Sequence, residues 1–479
     1  MSEVKGRTCE EGESGEVARE RSADGGPGRI LEPKERGETR TGSETQSGLP
    51  LNEEELLESV ISIGNLKRAF AAVRRNRGAA GVDGVTIEEF EKRLDTELRL
   101  LRQELQEKTY EPSPVRRVEI PKPDGGMRRL GIPNVRDRVF QQALRQKLEP
   151  LFEPSFSASS YGFRPGRNQK QAVLRAQELV REGKEWVVDI DLEQCFDRLN
   201  HDLIINHLRT KVTDRRVLKL IGKTLRSGVM EGQPREAEVG TPQGSPLSPL
   251  LCNIVLDTLD KELERRGVSF CRYADDANAF VRSKEAAQRV MGSISRFIEK
   301  RLKLKVNQEK SKVAKSKDVK FLSFTIYKEE IVIAKKTMKR AFKKLKEFSR
   351  RGSHLPVEEQ IERYNKWYRG WSEYFRLTAY PNQLKQVEAH FRRRMRKQLV
   401  RNQKRARYLF RRLTQGGAST REAAVVFSNR GPWSLSHARA VHRCWSNEWF
   451  RQRGMFTRSD EPNPPDHWTH PAAEWFKFT

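Results

Sequence analysis

The sequence has little cysteine and none of it paired. Its five cysteines (Cys9, Cys195, Cys252, Cys271 and Cys444) are scattered, odd in number and without a C-x-x-C spacing. That argues against a disulfide-framed secreted scaffold and a zinc knuckle, and fits a reducing compartment such as the cytoplasm. The eight histidines are equally dispersed and form no H-E-x-x-H, so a metal centre built on His or Cys is not expected. Long apolar runs are missing too: no window approaches the ~20 uncharged apolar residues of a membrane span. Residues 1–40 are polar and rich in Gly and Glu, unlike a secretory signal. No internal repeat is found. What is abundant is charge. Across 479 residues, 93 Lys and Arg stand against 65 Asp and Glu, a net of +28. Solubility of a small domain asks for only about 2–8 charges. The excess points to a polyanionic partner, nucleic acid first.

The charge is unevenly placed. Residues 1–50 are Gly-, Ser-, Thr- and Glu-rich with a net of −3, and read as a disordered tail. Residues 51–334 alternate helical and strand patterns. Apolar residues from Leu56 to Phe70 recur at helical spacing, and a second helix covers about Ile87 to Gln106. Val115–Ile120 and Met127–Ile132 form a hairpin around Pro121-Lys122-Pro123-Asp124-Gly125-Gly126. Trp186–Ile190 reads as a buried strand, Ile204–Leu225 as one helix and Pro246–Arg265 as another. Ser269–Tyr273 and Asn278–Arg282 pair around Ala274-Asp275-Asp276-Ala277, and Lys320–Ile326 pairs with Glu330–Ile333. Residues 335–415 carry 25 Lys or Arg against 6 Glu and no Asp, a net of +19, with aromatics between the charges. Most of those aromatics read as core at helical spacing, leaving the cationic face for phosphates. Residues 416–479 add two more helices and a Pro-rich tail at 462–471.

Three aspartates are candidates for chemistry. Asp275 and Asp276 are adjacent in a tight turn, where mutual repulsion calls for a cation or solvent between them. Asp191 ends the strand Trp186–Ile190, and a carboxylate at the end of a buried strand is costly unless paired or metal-bound. Asp189 lies on the same strand face and competes for that role. If the strand lies beside the Asp275 hairpin, the carboxylates converge into a site suited to two Mg²⁺ ions. Two further strings stand out. Gly240-Thr241-Pro242-Gln243-Gly244-Ser245-Pro246 offers close approach at Gly244 and a helix N-terminus. The hairpin Lys122–Arg129 projects Lys122, Arg128 and Arg129, cations suited to a triphosphate, although a solvated hairpin reads equally simply.

In this order, from about Glu53 to about Gly454, the strings resemble the reverse transcriptases encoded by bacterial group II introns. They are Ile120-Pro121-Lys122-Pro123-Asp124-Gly125, Leu130-Gly131-Ile132-Pro133, Ser160-Tyr161-Gly162-Phe163-Arg164-Pro165, Asp191 to Asp197, Pro242-Gln243-Gly244, Tyr273 to Asp276 and Phe321-Leu322-Ser323-Phe324. Arg369-Gly370-Trp371-Ser372-Glu373-Tyr374-Phe375 and Gly431-Pro432-Trp433-Ser434-Leu435-Ser436 look like the family's maturase segment. With no Cys- and His-bearing endonuclease in view, the chain resembles the compact, endonuclease-free, class C-like branch, which suggests priming from a nascent DNA strand.

The resemblance implies an α+β right-hand polymerase: fingers, a palm with a small antiparallel sheet, a helical thumb, and a C-terminal α-helical maturase extension. It implies an RNA-directed DNA polymerase that is also a maturase. Its partners would be group II intron RNA, an RNA template with a DNA primer, deoxynucleoside triphosphates and target DNA, in a bacterial cytoplasm with no membrane contact. Asp191, Asp275 and Asp276 would be catalytic metal ligands, with a backbone carbonyl from Ile190 or Leu192 and two Mg²⁺, Mn²⁺ being a substitute. Lys122, Arg128, Phe196, Gln243, Gly244 and Lys310 would bind the nucleotide. Phe196 would select the deoxyribose, and Lys310 would protonate pyrophosphate. Arg392, Arg393, Arg394, Arg396, Lys397 and Arg401 would bind RNA. Alternatives are a splicing-only maturase, or a related enzyme serving phage defence or a CRISPR locus.

Overall fold

The computed structural model describes residues 55–458, apart from 122–124, 232, 236–238, 243 and 350–354. The tail 1–50 and the Pro-rich segment 462–471 lie outside the described residues. Among the described residues no helix is long and apolar enough to cross a membrane.

The strand Trp186–Ile190 organises the centre. Successive side chains of a strand point to opposite faces. Val188 and Ile190 therefore enter one apolar core, and Val187 enters a second. All three are buried, which is why the strand reads as apolar on both sides. The first core gathers the early helices Glu55–Ile61, Ile63–Asn76, Leu94–Glu107 and Val135–Phe152 with the later helices Ser248–Arg265 and Lys284–Phe297. The second runs from the helix Gln169–Arg181 through the C-terminal helices to Met455.

Ten strands are described: β1 Val115–Pro121, β2 Met127–Ile132, β3 Trp186–Ile190, β4 Val229–Glu231, β5 Gln233–Arg235, β6 Ser269–Tyr273, β7 Asp276–Val281, β8 Lys312–Lys315, β9 Phe324–Tyr327 and β10 Glu330–Ile333. They form sheets in the orders β2-β1-β4-β5, β6-β7-β3-β8 and β10-β9. The second sheet is antiparallel throughout, with β3 flanked by β7 and β8. The first is the expected hairpin, with Ile120 opposite Arg128, widened by a parallel β1–β4 pairing.

Several boundaries differ from the sequence expectations. β7 begins at Asp276 rather than Asn278, because Tyr273 pairs with Asp276 and the turn narrows to Ala274 and Asp275. Ala274 takes φ +58, as such a two-residue turn requires. The expected single helix Ile204–Leu225 is two, His201–Arg209 and Arg215–Arg226. Asp214 breaks it by capping the second, accepting the Arg216 N–H at 2.9 Å. β9 starts at Phe324, not Lys320, since Leu322 and Ser323 (φ +47 and +73) make a tight turn in which Phe321 and Phe324 exchange backbone bonds of 2.9 Å. β4, β5 and β8 were not anticipated.

C-terminal to β10, the helices Lys335–Phe348, Val357–Tyr374 and Asn382–Asn402 carry the basic segment. Their aromatics are core, as expected for most of them. Tyr364 stacks on Phe391 at 4.1 Å and on Tyr368 at 5.0 Å. The Tyr368 hydroxyl donates to buried Glu388 at 2.7 Å.

One buried ion pair joins β6 to the helix Ser248–Arg265. Arg272, 1% exposed, donates Nε and Nη2 to the two carboxylate oxygens of Asp260, 0% exposed, at 2.8 and 2.6 Å. Removing one partner of such a pair strands a buried charge, at about 3–5 kcal/mol. Arg272→Met should therefore lower urea-unfolding stability by about that much, and a loss below ~1 kcal/mol would refute the role given to the pair.

Candidate active site

The ladder brings the sequence-selected carboxylates together. β3 and β7 pair Ile190 with Ala277 and Asp189 with Asn278. The end of β3, which leads into Asp191, thus lies against the start of β7, which is Asp276. Asp189, Asp191, Asp275 and Asp276 all line one open cleft of about 1430 Å³. Ile190 and Leu192 line it as well. Asp191 is held by its backbone: its N–H donates to Ser311 Oγ at 3.0 Å, and its carbonyl accepts the Asn307 N–H at 2.8 Å.

The turn bearing Asp275 and Asp276 is gripped from beneath. Arg272 Nη1 donates to the Ala274 carbonyl at 2.8 Å and to Asn253 Oδ1 at 3.0 Å. Asn253 Nδ2 in turn donates to the Gly162 carbonyl at 2.8 Å. A side chain at Gly162 would meet the Ala274 nitrogen at 2.2 Å, so only glycine lets the two segments touch there.

The electrostatics suit a cation. Burial, then Asp189 and Asp275, push the Asp276 carboxyl up to about 7. Burial, opposed by Lys312 and reinforced by Asp191, pushes Asp189 up to about 6. Carboxylates raised in this way are costly as bare anions, and a divalent ion with oxygen preference relieves them. The donor set therefore fits a divalent metal, although among the described residues no three His, Cys, Asp or Glu side chains already form a closed cluster.

Lysines line the same cleft: Lys310, Lys312, Lys317, Lys320, Lys335 and Lys336 among them. Of these only Lys310 was selected from the sequence. Lys312 and Lys320 bear on Asp189 and Asp276, and the sequence hid Lys312, since β8 is a short basic strand, Lys312-Val313-Ala314-Lys315, with no alternation to mark it.

The remaining candidates are dispersed. Lys122 and Gln243 lie outside the described residues. The backbone of Arg128 sits in β2, while neighbouring Arg129 pairs with Glu119 at 3.3 Å. Phe196 is half-buried against the first core, and its carbonyl accepts the Thr241 N–H at 2.7 Å. Gly244 does permit a close approach, but to the chain itself. At φ +131, a Cβ there would lie 2.7 Å from the Gly131 carbonyl oxygen.

The expected RNA-binding cluster divides. Arg392 and Arg396 are buried, 9% and 3% exposed, and Arg396 donates to the Trp445 carbonyl at 2.7 Å and to Asn447 at 3.1 Å. Both are internal posts of the helical core rather than surface cations. Arg394 is half-buried on Ser349, and Arg393 lies 3.8 Å above the Trp433 ring with Lys397 at 5.6 Å. Arg401 is exposed.

Residues 120–326 match the family model described as reverse transcriptase (RNA-dependent DNA polymerase), and residues 338–416 match that of the group II intron maturase-specific domain. Protein YkfC of Escherichia coli is 35% identical over 272 residues, 49% of this chain and 71% of that protein. The chain belongs to the reverse transcriptases. It joins that polymerase fold to a group II intron maturase domain. The group II intron-encoded protein LtrA of Lactococcus lactis subsp. cremoris is 35% identical over 249 residues, 51% of this chain but 40% of its own length. Among solved structures, a partial Cas6-RT-Cas1–Cas2 complex aligns over 51% of this chain and 42% of its own at 25% identity, with a TM-score of 0.34.

The raised carboxylates give this reverse transcriptase a pH signature when no metal is bound. In the unfolded chain Asp276 releases its proton near 3.8, and in the folded chain near 7. Between these values the folded state holds more protons, so stability falls as pH rises across the window and levels off above it. Asp276→Asn should flatten that fall in chelator-treated protein followed by thermal unfolding. Parallel pH profiles for variant and parent would refute the assignment.

Proposed function

We propose that this reverse transcriptase copies RNA into DNA by adding deoxynucleoside triphosphates to a DNA primer, and that it also holds group II intron RNA as a maturase. The observation that carries the polymerase reading is the convergence of Asp191, Asp275 and Asp276 on one lysine-lined cleft. Those three carboxylates would hold two Mg²⁺, or Mn²⁺ in its place, with a main-chain carbonyl of Ile190 or Leu192 as a further ligand. Bound there, the metal supplies charge neutralisation for the attacking and leaving oxygens of an in-line displacement. Lys122 and Arg128 would grip the triphosphate. Phe196 would sit under the sugar and reject a 2′-hydroxyl. Gln243 and Gly244 would shape the template side. Lys310, on the cleft wall, would hand a proton to departing pyrophosphate. Localisation in a bacterial cytoplasm, target DNA as substrate and priming from a nascent strand complete the proposal. The division at 334/335 and 415/416 into hand, thumb and maturase extension belongs to it too.

For RNA binding, the exposed cations move outward along the chain. The helix Ala406–Gln415 buries Leu409 and Leu413 and presents Arg407 and Arg411, four residues apart, to solvent. Some exposed arginines have carboxylates, as in Arg175–Glu178 at 2.9 Å and Arg363–Glu359 at 2.9 Å. Among the described residues Arg407 and Arg411 form no ion pair, and Tyr408 and Phe427 beside them are 47% and 62% exposed. Unpaired cations with exposed rings suit phosphate and base contacts.

Two measurements test the proposal. Asp275→Ala with Asp276→Ala should cut cDNA synthesis by roughly a hundredfold or more while intron splicing persists; continued polymerisation would sink the catalytic assignment. Arg407→Ala with Arg411→Ala should reduce the slope of log RNA affinity against log salt by roughly 1.4–1.8, and an unchanged slope would remove this helix from the RNA surface.

A further inference from the structure

Phe163 has an unusual backbone and an unusual exposure. It sits at φ +58, in the left-handed region that a bulky residue rarely occupies. Its side chain is nevertheless 44% exposed, so the strain secures no burial of the ring. Strained residues persist where the surroundings over-determine them, and they gather at functional sites. Here the surroundings are explicit. Gly162 is pressed against the Ala274 nitrogen and tied through its carbonyl to Asn253, and Arg164 donates to the Ser157 and Ser160 carbonyls at 2.5 and 2.8 Å. Anchored on both sides, Phe163 is held out beside the aspartate turn, with its ring centroid 6.3 Å from that of Tyr273.

The placement selects a ligand. Phe163 and Tyr273 lie on the flank where Tyr273 packs on the second core, the core that also holds the helices Lys335–Phe348 and Val357–Tyr374. The carboxylates of the adjacent residues open into the cleft. If a nucleic-acid end reacting at those carboxylates leaves the cleft along this flank, its last nucleotide meets the two rings, which stand beside the turn. A half-open aromatic pair offers a base or sugar a stacking face that any sequence can use.

We propose that Phe163, together with Tyr273, forms the stacking surface for the terminal nucleotide of the primer, setting its 3′-hydroxyl beside Asp275 and Asp276. This rests on the polymerase reading above, and the test separates the two. Full-length protein is given an RNA template annealed to a DNA primer ending in 2-aminopurine, and both fluorescence quenching and single-nucleotide extension are followed. The parent should quench the terminal base. Phe163→Ala should abolish the quenching and raise KM for primer–template roughly five- to 150-fold, the range of one lost stacking contact, with KM for the nucleotide unchanged. Phe163→Tyr should retain both parental properties. Unaltered quenching in Phe163→Ala, or equal losses in Phe163→Ala and Phe163→Tyr, would overturn the proposal. Failure of the parent protein itself to extend the primer would overturn the polymerase reading beneath it.

Discussion

A guanidinium sealed from water holds the aspartate turn in place. Arg272 spends two of its donors on Asp260 and another on the Ala274 carbonyl and Asn253. Its backbone also pairs, with the Ser159 carbonyl accepting its N–H at 2.9 Å and its own carbonyl accepting the Tyr161 N–H at 2.8 Å. One residue thereby locks four segments: β6, the helix Ser248–Arg265, the stretch 157–164 and the aspartate turn. The constraint explains why such a turn exists at all. Adjacent carboxylates repel, and a free two-residue loop would splay to separate them. A planar fork fixed by a buried carboxylate supplies the rigidity that a flexible lysine would not. In a site where a shift of 1 Å can cost a hundredfold in rate, holding that turn is as much part of the chemistry as the carboxylates.

The second constraint is the parity of β3. Period-two alternation sends Val188 and Ile190 into one core and Val187 into the other, so the strand is the seam between the helices that precede it and those that close the chain. Asp189 and Asp191 share the parity of Val187 and therefore arrive on the face that opens into the cleft. A one-residue slip in the β3–β7 register would turn both carboxylates into the apolar side. Burial of the valines thus sets the geometry of the acids, and Asp189, raised by its own burial, adds to the demand for a cation.

Much of this was legible in residue order. Trp186–Ile190 announced a doubly buried strand, and the Tyr-Ala-Asp-Asp string announced a turn with a charge problem. What stayed hidden was local pattern overruled by tertiary pairing. β8 reads as a basic run, and becomes a strand only because β3 has an edge for it to complete. Asp214 reads as one polar residue within a long helix, and becomes a boundary because its carboxylate caps the next helix and also accepts the Leu57 N–H at 3.1 Å from far away in the chain. Arg272 carries no pattern at all. Its role depends on Asp260, twelve residues earlier, a spacing that no helix or strand period marks. Phe163 was visible inside a motif, but neither its left-handed backbone nor its exposure can be read from residue type.

The arginines show the limit of charge arithmetic most directly. Residues 335–415 hold most of the chain's positive excess, and the run at 392–396 is its densest part. Yet that density is partly architectural. A guanidinium offers five donors on a long apolar stem, so it can satisfy carbonyls left open where helices end, as Arg396 does for Trp445, while its stem packs in the core. Unpaired inside the protein and surrounded by like charge, such a residue has its pKa depressed by burial, to about 10 for Arg396. A cation buried and engaged in that way is not presented to a phosphate. The capacity to bind a polyanion therefore belongs to arginines that the fold leaves both exposed and without a carboxylate. Arg407 and Arg411, on the helix Ala406–Gln415, are two of these, and they lie C-terminal to the run at 392–396 where the density peaks.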